Sequence, residues 1–210
     1  MIPTYNSSSL AMLLKGLKAF FYEKGSFEII VINDGGKPTK LSEDIILLDF
    51  DKNRGKNYAL FEGFKIARGE WILTIDDDGQ HPVSEISKLI ARQDHDVVIG
   101  KYESENRIQS VFKHWTEVLL FAKNSRIRFT PFKLIRRRVL NLSSFENRVP
   151  FVSILLLEST KDIVEVEVNV NTKENKNSRF SIRRKFNFYR NLVASKNEFF
   201  RKLMGVKLKY

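Results

Sequence analysis

The sequence has no cysteine, which removes disulfide bridges, thiolate metal sites and a cysteine nucleophile and suits a reducing compartment. Glycine and proline are sparse, at 10 and 5 of 210 residues. No dinucleotide fingerprint or phosphate-binding loop follows any expected strand, which argues against a dehydrogenase or a P-loop nucleotidase. Long apolar runs are missing too. The stretch 154–157 is typical, far short of the roughly 20 residues needed to span a bilayer. No signal peptide opens the chain, so a soluble or peripheral, cytoplasmic protein is expected. The three histidines, His81, His95 and His114, lack the spacing of a zinc site.

What is present reads as one globular domain, with 42% hydrophobic and 29% charged residues. The net charge of +11 is unevenly spread. Residues 1–100 carry 12 basic and 15 acidic side chains, and residues 101–210 carry 24 and 10. Such a second half points to an anionic partner, whether acidic lipid, phosphorylated substrate or nucleic acid, or to a solvated basic face.

Residues 1–100 alternate between two periodicities. Ile2 and Pro3 end a short strand. Leu10, Leu13, Leu14, Leu17 and Phe20 then recur at helical spacing behind a serine run able to cap a helix. A strand over 27–32 follows, closed by Asn33-Asp34-Gly35-Gly36. Next come a strand over 45–49, a helix over 58–67, a strand over 71–75, a helix over 83–92 and a strand over 97–99. This order predicts an α/β fold, a mostly parallel sheet flanked by helices. Ligands of such sheets sit beyond the carboxyl ends of the strands. Three polar clusters fall there: Thr4-Tyr5-Asn6, Asn33-Asp34-Gly35 and Asp76-Asp77-Asp78.

The acidic turn Asp76-Asp77-Asp78-Gly79-Gln80-His81-Pro82 is the strongest chemical signal. Three adjacent carboxylates repel one another, and a hard cation such as Mg²⁺ or Mn²⁺, which takes one or two carboxylates plus substrate phosphates, relieves that. In an extended turn Asp76, Asp78 and Gln80 share a side and Asp77 faces away. The alternative is that the acids cap a helix starting near Pro82. Asp94 and Asp96 read as loop acids.

Pro3-Thr4-Tyr5-Asn6, Ile30-Val31-Ile32-Asn33-Asp34-Gly35, Asn53-Arg54-Gly55-Lys56 with Ala59–Phe64, and the acidic turn occur in that order. Together they resemble the family 2 glycosyltransferases of GT-A (Rossmann-like) fold. Within that family they look closest to dolichol-phosphate mannose synthases and bacterial polyprenyl-phosphate glycosyltransferases. The resemblance implies inverting transfer of a sugar from a nucleotide-diphosphate donor. It implies donor binding by Pro3, Thr4, Tyr5, Asn6, Asp34, Lys56, Asp76 and Asp77, with metal held by Asp76, Asp78 and Gln80. Most relatives have more apolar residues before the first motif, so the chain is expected to start late.

The second half resembles the same group. Phe129-Thr130-Pro131-Phe132-Lys133-Leu134-Ile135-Arg136-Arg137 looks like the family's Phe-Arg-Leu-Ile-x-Arg stretch, with Lys133 where arginine usually stands. Ser178-Arg179-Phe180 looks like its Ser-Lys-Tyr element. On this reading Arg107, Ser110, Lys133, Ser178 and Arg179 hold an acceptor phosphate, and Asp78, Arg107, Lys133 and Arg179 act in catalysis. A lipid phosphate is already an anion and needs cations rather than a general base. No acidic pair suited to be a base is evident in this half; Glu146 is the one candidate, and its structural reading is favoured.

The expected division is a glycosyltransferase domain over 1–178, with a nucleotide-sugar and metal half (1–100) and an acceptor half (101–178). A basic amphipathic helix over 179–210 follows, carrying ten Lys/Arg against Glu198 alone. Such a helix suits an anionic membrane surface or packs its apolar face on the sheet. The expected partners are a nucleotide-diphosphate sugar, a polyprenyl phosphate or glycan acceptor and that membrane surface, placing the protein on the inner face of the cell membrane. Three rivals stand beside this reading: transfer to a sugar hydroxyl of a surface polysaccharide, an inactive relative, and a nucleic-acid binder. The last leaves the acidic turn without a purpose.

Overall fold

A computed structural model describes residues 1–37, 40–102, 130–140, 142 and 152–171. Strands β1 (Ile2–Thr4), β2 (Ile29–Asn33) and β3 (Ile45–Asp49) pair in parallel in the order β1-β2-β3. Strands β4 (Trp71–Thr74), β5 (Val97–Lys101), β6 (Lys133–Arg136) and β7 (Ile163–Glu167) pair in the order β4-β6-β5-β7. Of these, β6 is antiparallel to both neighbours, and β5 and β7 run parallel.

Met1 joins the two sets. Its amino group donates to Leu73 O at 2.8 Å, and Ile75 N–H donates to Met1 O at 3.2 Å. Bonding to the residues on either side of one partner is the parallel pattern, so β1 lies beside β4. The seven strands form one sheet, in the order β3-β2-β1-β4-β6-β5-β7. The expected mostly parallel sheet is what forms, and the carboxyl ends of β1, β2 and β4 meet at its centre.

Successive strand residues point to opposite faces, and both faces are covered. On one side α1 (Leu10–Phe21) and α3 (Ile86–Ile90) pack Leu10, Leu13, Leu14, Leu17, Ile86 and Leu89 against Ile29, Val31, Val98 and Leu134. On the other, α2 (Lys56–Ile66) and α4 (Val152–Ser159) pack Leu60, Phe61, Phe64, Leu155 and Leu156 against Ile30, Ile32, Val97, Ile99 and Ile135. Burial on both faces is why these strands read as continuous β-branched runs rather than as alternating ones.

Several boundaries differ from expectation. Strand β2 spans Ile29–Asn33 rather than 27–32, because its register on β3 starts at Ile29↔Ile45. Helix α2 starts at Lys56, where Gly55 (φ +95°) turns the chain, rather than at 58. The helix expected over 83–92 is a 3-10 turn, Val83–Glu85, followed by the short α3. Ser9 stands at the start of α1 with no side-chain cap bond. Buried Glu85 instead accepts bonds from Asn169 N–H at 2.9 Å and Asn169 Nδ2 at 3.2 Å, and pairs with Lys88 at 2.7 Å. That ties the segment after β7 to the start of α3. No helix among the described residues is long and apolar enough to cross a membrane.

Candidate functional site

Each of the three central strands ends in a polar residue whose side chain organises the loop beyond it. After β1, Asn6 takes φ +53° and its Oδ1 accepts Lys37 N–H at 2.7 Å. Thr4 is buried and Tyr5 half exposed. After β2, Asn33 is fully buried. Its Nδ2 donates to Asp49 Oδ1 at 2.8 Å and Lys37 O at 3.1 Å, and its Oδ1 accepts Gly36 N–H at 3.1 Å. Asp34 is also buried, with its two oxygens accepting Arg54 N–H at 2.7 Å and Gly55 N–H at 2.9 Å. Asp34 therefore clamps the loop that leads into α2 and sets the position of Lys56. Gly35 sits between them at φ +72°, where a Cβ would fall 2.1 Å from the Lys52 carbonyl carbon.

Beyond β4 comes the acidic turn. Asp76 forms an ion pair with Lys56. The Oδ1 of Asp78 accepts Gln80 N–H at 3.0 Å, and Gly79 reverses the chain at φ +70°. Asp77 turns the other way, towards Thr4 and Ser7, with its Oδ2 buried and, among the described residues, lacking a hydrogen-bond partner. Burial pushes its carboxyl above the usual range. Hydrogen bonds from Thr4 and Ser7 oppose that rise, and the fields of Asp76 and Asp78 add to it. Ser7 Oγ also donates to Asp77 O at 2.9 Å, so the serine run braces this turn instead of capping α1. Pro82 precedes the 3-10 turn with no side-chain cap hydrogen bond.

Lys133 enters from β6, opposite Thr74. It is 4% exposed, and among the described residues its ammonium has no hydrogen bond or ion pair. Burial pushes its pKa down to about 7, the nearby Lys56 lowers it further, and Asp76 works against both. An ammonium held in this way is costly without an anion beside it. Behind the turn, His81 stacks on Phe132 (ring centroids 4.9 Å apart) and meets Tyr102 edge-on at 5.4 Å. Burial, with Asp76 and Asp78 adding to it, raises the Tyr102 hydroxyl pKa.

Lys56, Asp76, Asp78, Gln80 and Lys133 are thus brought together, with Thr4 and Asp34 at the adjoining strand ends. Arg107, Ser110, Ser178 and Arg179 lie outside the described residues, as do Glu146 and the basic helix expected over 179–210. The sequence reading missed Asn33, although it sits inside a polar cluster that reading singled out, and Ser7, which it read as part of a helix-capping serine run. It also missed Tyr102, Glu85 and Asn171, which no local pattern marks.

Among the described residues no three His, Cys, Asp or Glu side chains form a closed metal cage. An all-protein cage is not what Mg²⁺ or Mn²⁺ needs in a phosphate site, where the ion keeps waters and takes phosphate oxygens beside one or two carboxylates. The oxygen donors of Asp76 and Asp78 on one turn fit that requirement, and the ammonium on Asp76 marks it as a cation-seeking carboxylate. A cavity of about 710 Å³ lies at the opposite, amino end of the strands, lined by Phe27, Ile30, Trp71 and Ile72. It is remote from these groups and from where parallel sheets bind ligands.

A sequence model of the family described as "Glycosyl transferase family 2" matches residues 1–146. The chain is 25% identical over 213 residues to the undecaprenyl-phosphate 4-deoxy-4-formamido-L-arabinose transferase of Pseudomonas fluorescens, covering 92% of this chain and 63% of that protein. It is 32% identical over 133 residues to the enzyme of that name from Pseudomonas aeruginosa, covering 57% and 39%. The chain therefore spans less than two-thirds of these relatives' length. Among solved structures it is similar to glucosyl-3-phosphoglycerate synthase from Mycobacterium tuberculosis in complex with Mn²⁺, UDP-glucose and phosphoglyceric acid. That match has a TM-score of 0.66 at 14% identity, covering 99% of this chain and 79% of that one. Mannosyl-3-phosphoglycerate synthase from Rubrobacter xylanophilus gives 0.65 at 12%, covering 99% and 75%. At such identities the likeness shows the fold alone, and it bears out the GT-A architecture.

Proposed function

Because this chain belongs to glycosyl transferase family 2, we propose that it moves a sugar from a nucleotide-diphosphate donor to the phosphate of a polyprenyl lipid at a membrane surface, in cell-envelope glycan synthesis. The observation that carries this reading is Lys133, a buried ammonium beside Asp76 and Lys56 at the carboxyl end of β4. A diphosphate placed there meets two cations and the carboxylates of the acidic turn. A bound Mg²⁺ or Mn²⁺ would supply neutralising charge for the departing nucleoside diphosphate.

The chain's own residues do the rest. Thr4, Tyr5 and Asn6 line the nucleoside side, and the Asp34 clamp presents the start of α2 towards the diphosphate. A lipid-phosphate oxygen attacks the anomeric carbon as the bond to the diphosphate oxygen breaks, which inverts that carbon and requires no base. Arg107, Ser110, Ser178 and Arg179, outside the described residues, are assigned to the acceptor phosphate. Residues 179–210 are assigned to the anionic inner face of the membrane. The relatives named for undecaprenyl-phosphate transfer favour the lipid phosphate over a sugar hydroxyl.

Incubation with Mn²⁺, a panel of nucleotide sugars and a polyprenyl phosphate is expected to give a lipid-linked sugar detectable by mass spectrometry. Transfer to free glycan hydroxyls but not to the lipid would sink the acceptor assignment. The pH dependence is a second expectation. Lys133 has a folded pKa (about 7) below its ordinary value, so the unfolded chain binds the extra proton between the two. Its contribution to stability therefore rises with pH across that window. Diphosphate binding favours the charged form, so affinity is expected to fall as pH climbs through 7, by up to about tenfold per unit. Titrations from pH 6 to 9 check both slopes. Lys133→Met should flatten them, and Lys133→Arg should flatten the binding slope while keeping the charge.

A further inference from the structure

The acidic turn is held from both sides by residues that the chemistry above does not use. Ser7 braces the Asp77 carbonyl. Across the turn, the segment leaving β7 is pinned in succession. Val168 N–H donates to Lys101 O at 2.9 Å, Asn169 binds Glu85, and Asn171 reaches the tip of the turn. The backbone N–H of Asn171 donates to Gln80 O at 2.9 Å, and its Nδ2 donates to Gly79 O, also at 2.9 Å. Gly79, at φ +70°, is the most permissive link of the turn, and it separates Asp78 from Gln80. A side-chain amide on the Gly79 carbonyl and a backbone amide on the next carbonyl fix the rotation of the two peptide units that flank Gln80, and with it the orientation of Gln80 relative to Asp78 across Gly79.

The geometry points to Asn171 as a positioning residue of the donor site. By holding the Gly79 and Gln80 carbonyls it sets the angle at which Gln80, next to Asp78, faces the metal and diphosphate. This rests on the donor-site reading above and adds to it a residue 91 positions away in sequence from Gln80. Partners that orient ligating groups typically change metal affinity by about 10- to 100-fold when removed. Asn171 is exposed, so its loss leaves no hole in the core.

Asn171→Ala and Asn171→Asp remove the Nδ2 donor and keep the backbone bond. Binding of Mn²⁺ with uridine diphosphate, amide hydrogen exchange over Gly79–His81 without any ligand, and the melting temperature would be measured for the wild type and both variants. The expected result is binding about tenfold weaker and faster exchange at the turn, with the melting temperature unchanged. Unchanged exchange and affinity would overturn the assignment, and so would losses that merely track a fall in melting temperature. A wild type that binds no nucleotide would remove the donor-site reading instead. Exchange at the turn amides would then still decide for or against the latch.

Discussion

Asp78→Ala is expected to abolish metal-dependent nucleotide binding and to lower sugar transfer by about 10²- to 10³-fold, the range seen when one preorganised charge-stabilising group is removed. The loss should fall on the metal term. In the wild type, Mn²⁺ should tighten nucleoside-diphosphate binding strongly, and in the variant Mn²⁺ should add little. Asp76→Asn makes an instructive contrast. It removes a carboxylate from the same turn but also releases Lys56 from its ion pair and leaves Lys133 beside less negative charge. Metal-free binding of a diphosphate should therefore improve in Asp76→Asn while metal-assisted transfer falls. Isothermal titration with and without Mn²⁺ separates the two. Equal Mn²⁺ dependence in wild type and Asp78→Ala would show that the turn does not hold the ion.

Asp34→Ala is expected to cost about 3 kcal/mol of folding stability and to raise the donor KM. The carboxylate is buried, and it satisfies the N–H groups of Arg54 and Gly55 where the chain turns into α2. Each is a charge-assisted bond, of the kind worth about 1.5–3 kcal/mol, and removing the acceptor leaves two amides without their partner. The negative charge also sits at the amino end of α2, where the helix dipole favours it. Asp34→Asn, which keeps an acceptor oxygen but loses the charge, should cost roughly half as much. Urea denaturation measures the first effect and steady-state kinetics the second. A donor KM that moved with no change in stability would mean that Asp34 contacts the nucleotide directly rather than through the loop.

Much of the fold over residues 1–100 is readable without coordinates because its signals are local. Strand β3 spans the expected 45–49, and β4 and β5 differ from expectation by one or two residues at their carboxyl ends. A strand of a parallel sheet reads as a short apolar run, β-branched where it is most buried, as in β2 and β5. The acidic turn is legible for the same reason, since three adjacent carboxylates at a strand end stand out in any context. The limits of the helix expected over 83–92 were not readable. Its first residues are diverted when Glu85 is drawn to Asn169, 84 positions along the chain.

The ordered motifs and the carboxylates at a strand end were enough, by themselves, to point to the family and the α/β fold and to mark the carboxyl ends of the strands as the candidate site. Periodicity and residue chemistry act over a few residues, and those features are local. Tertiary structure alone decided that Lys133 is a buried cation beside Asp76, because antiparallel pairing of β6 with β4 sets Lys133 opposite Thr74. It alone made Asp34 a clamp on residues 20 positions away and Asn171 a brace on the acidic turn. Register and long-range hydrogen bonding choose those partners, and the pattern around each residue carries no trace of which distant carbonyl or amide it will meet.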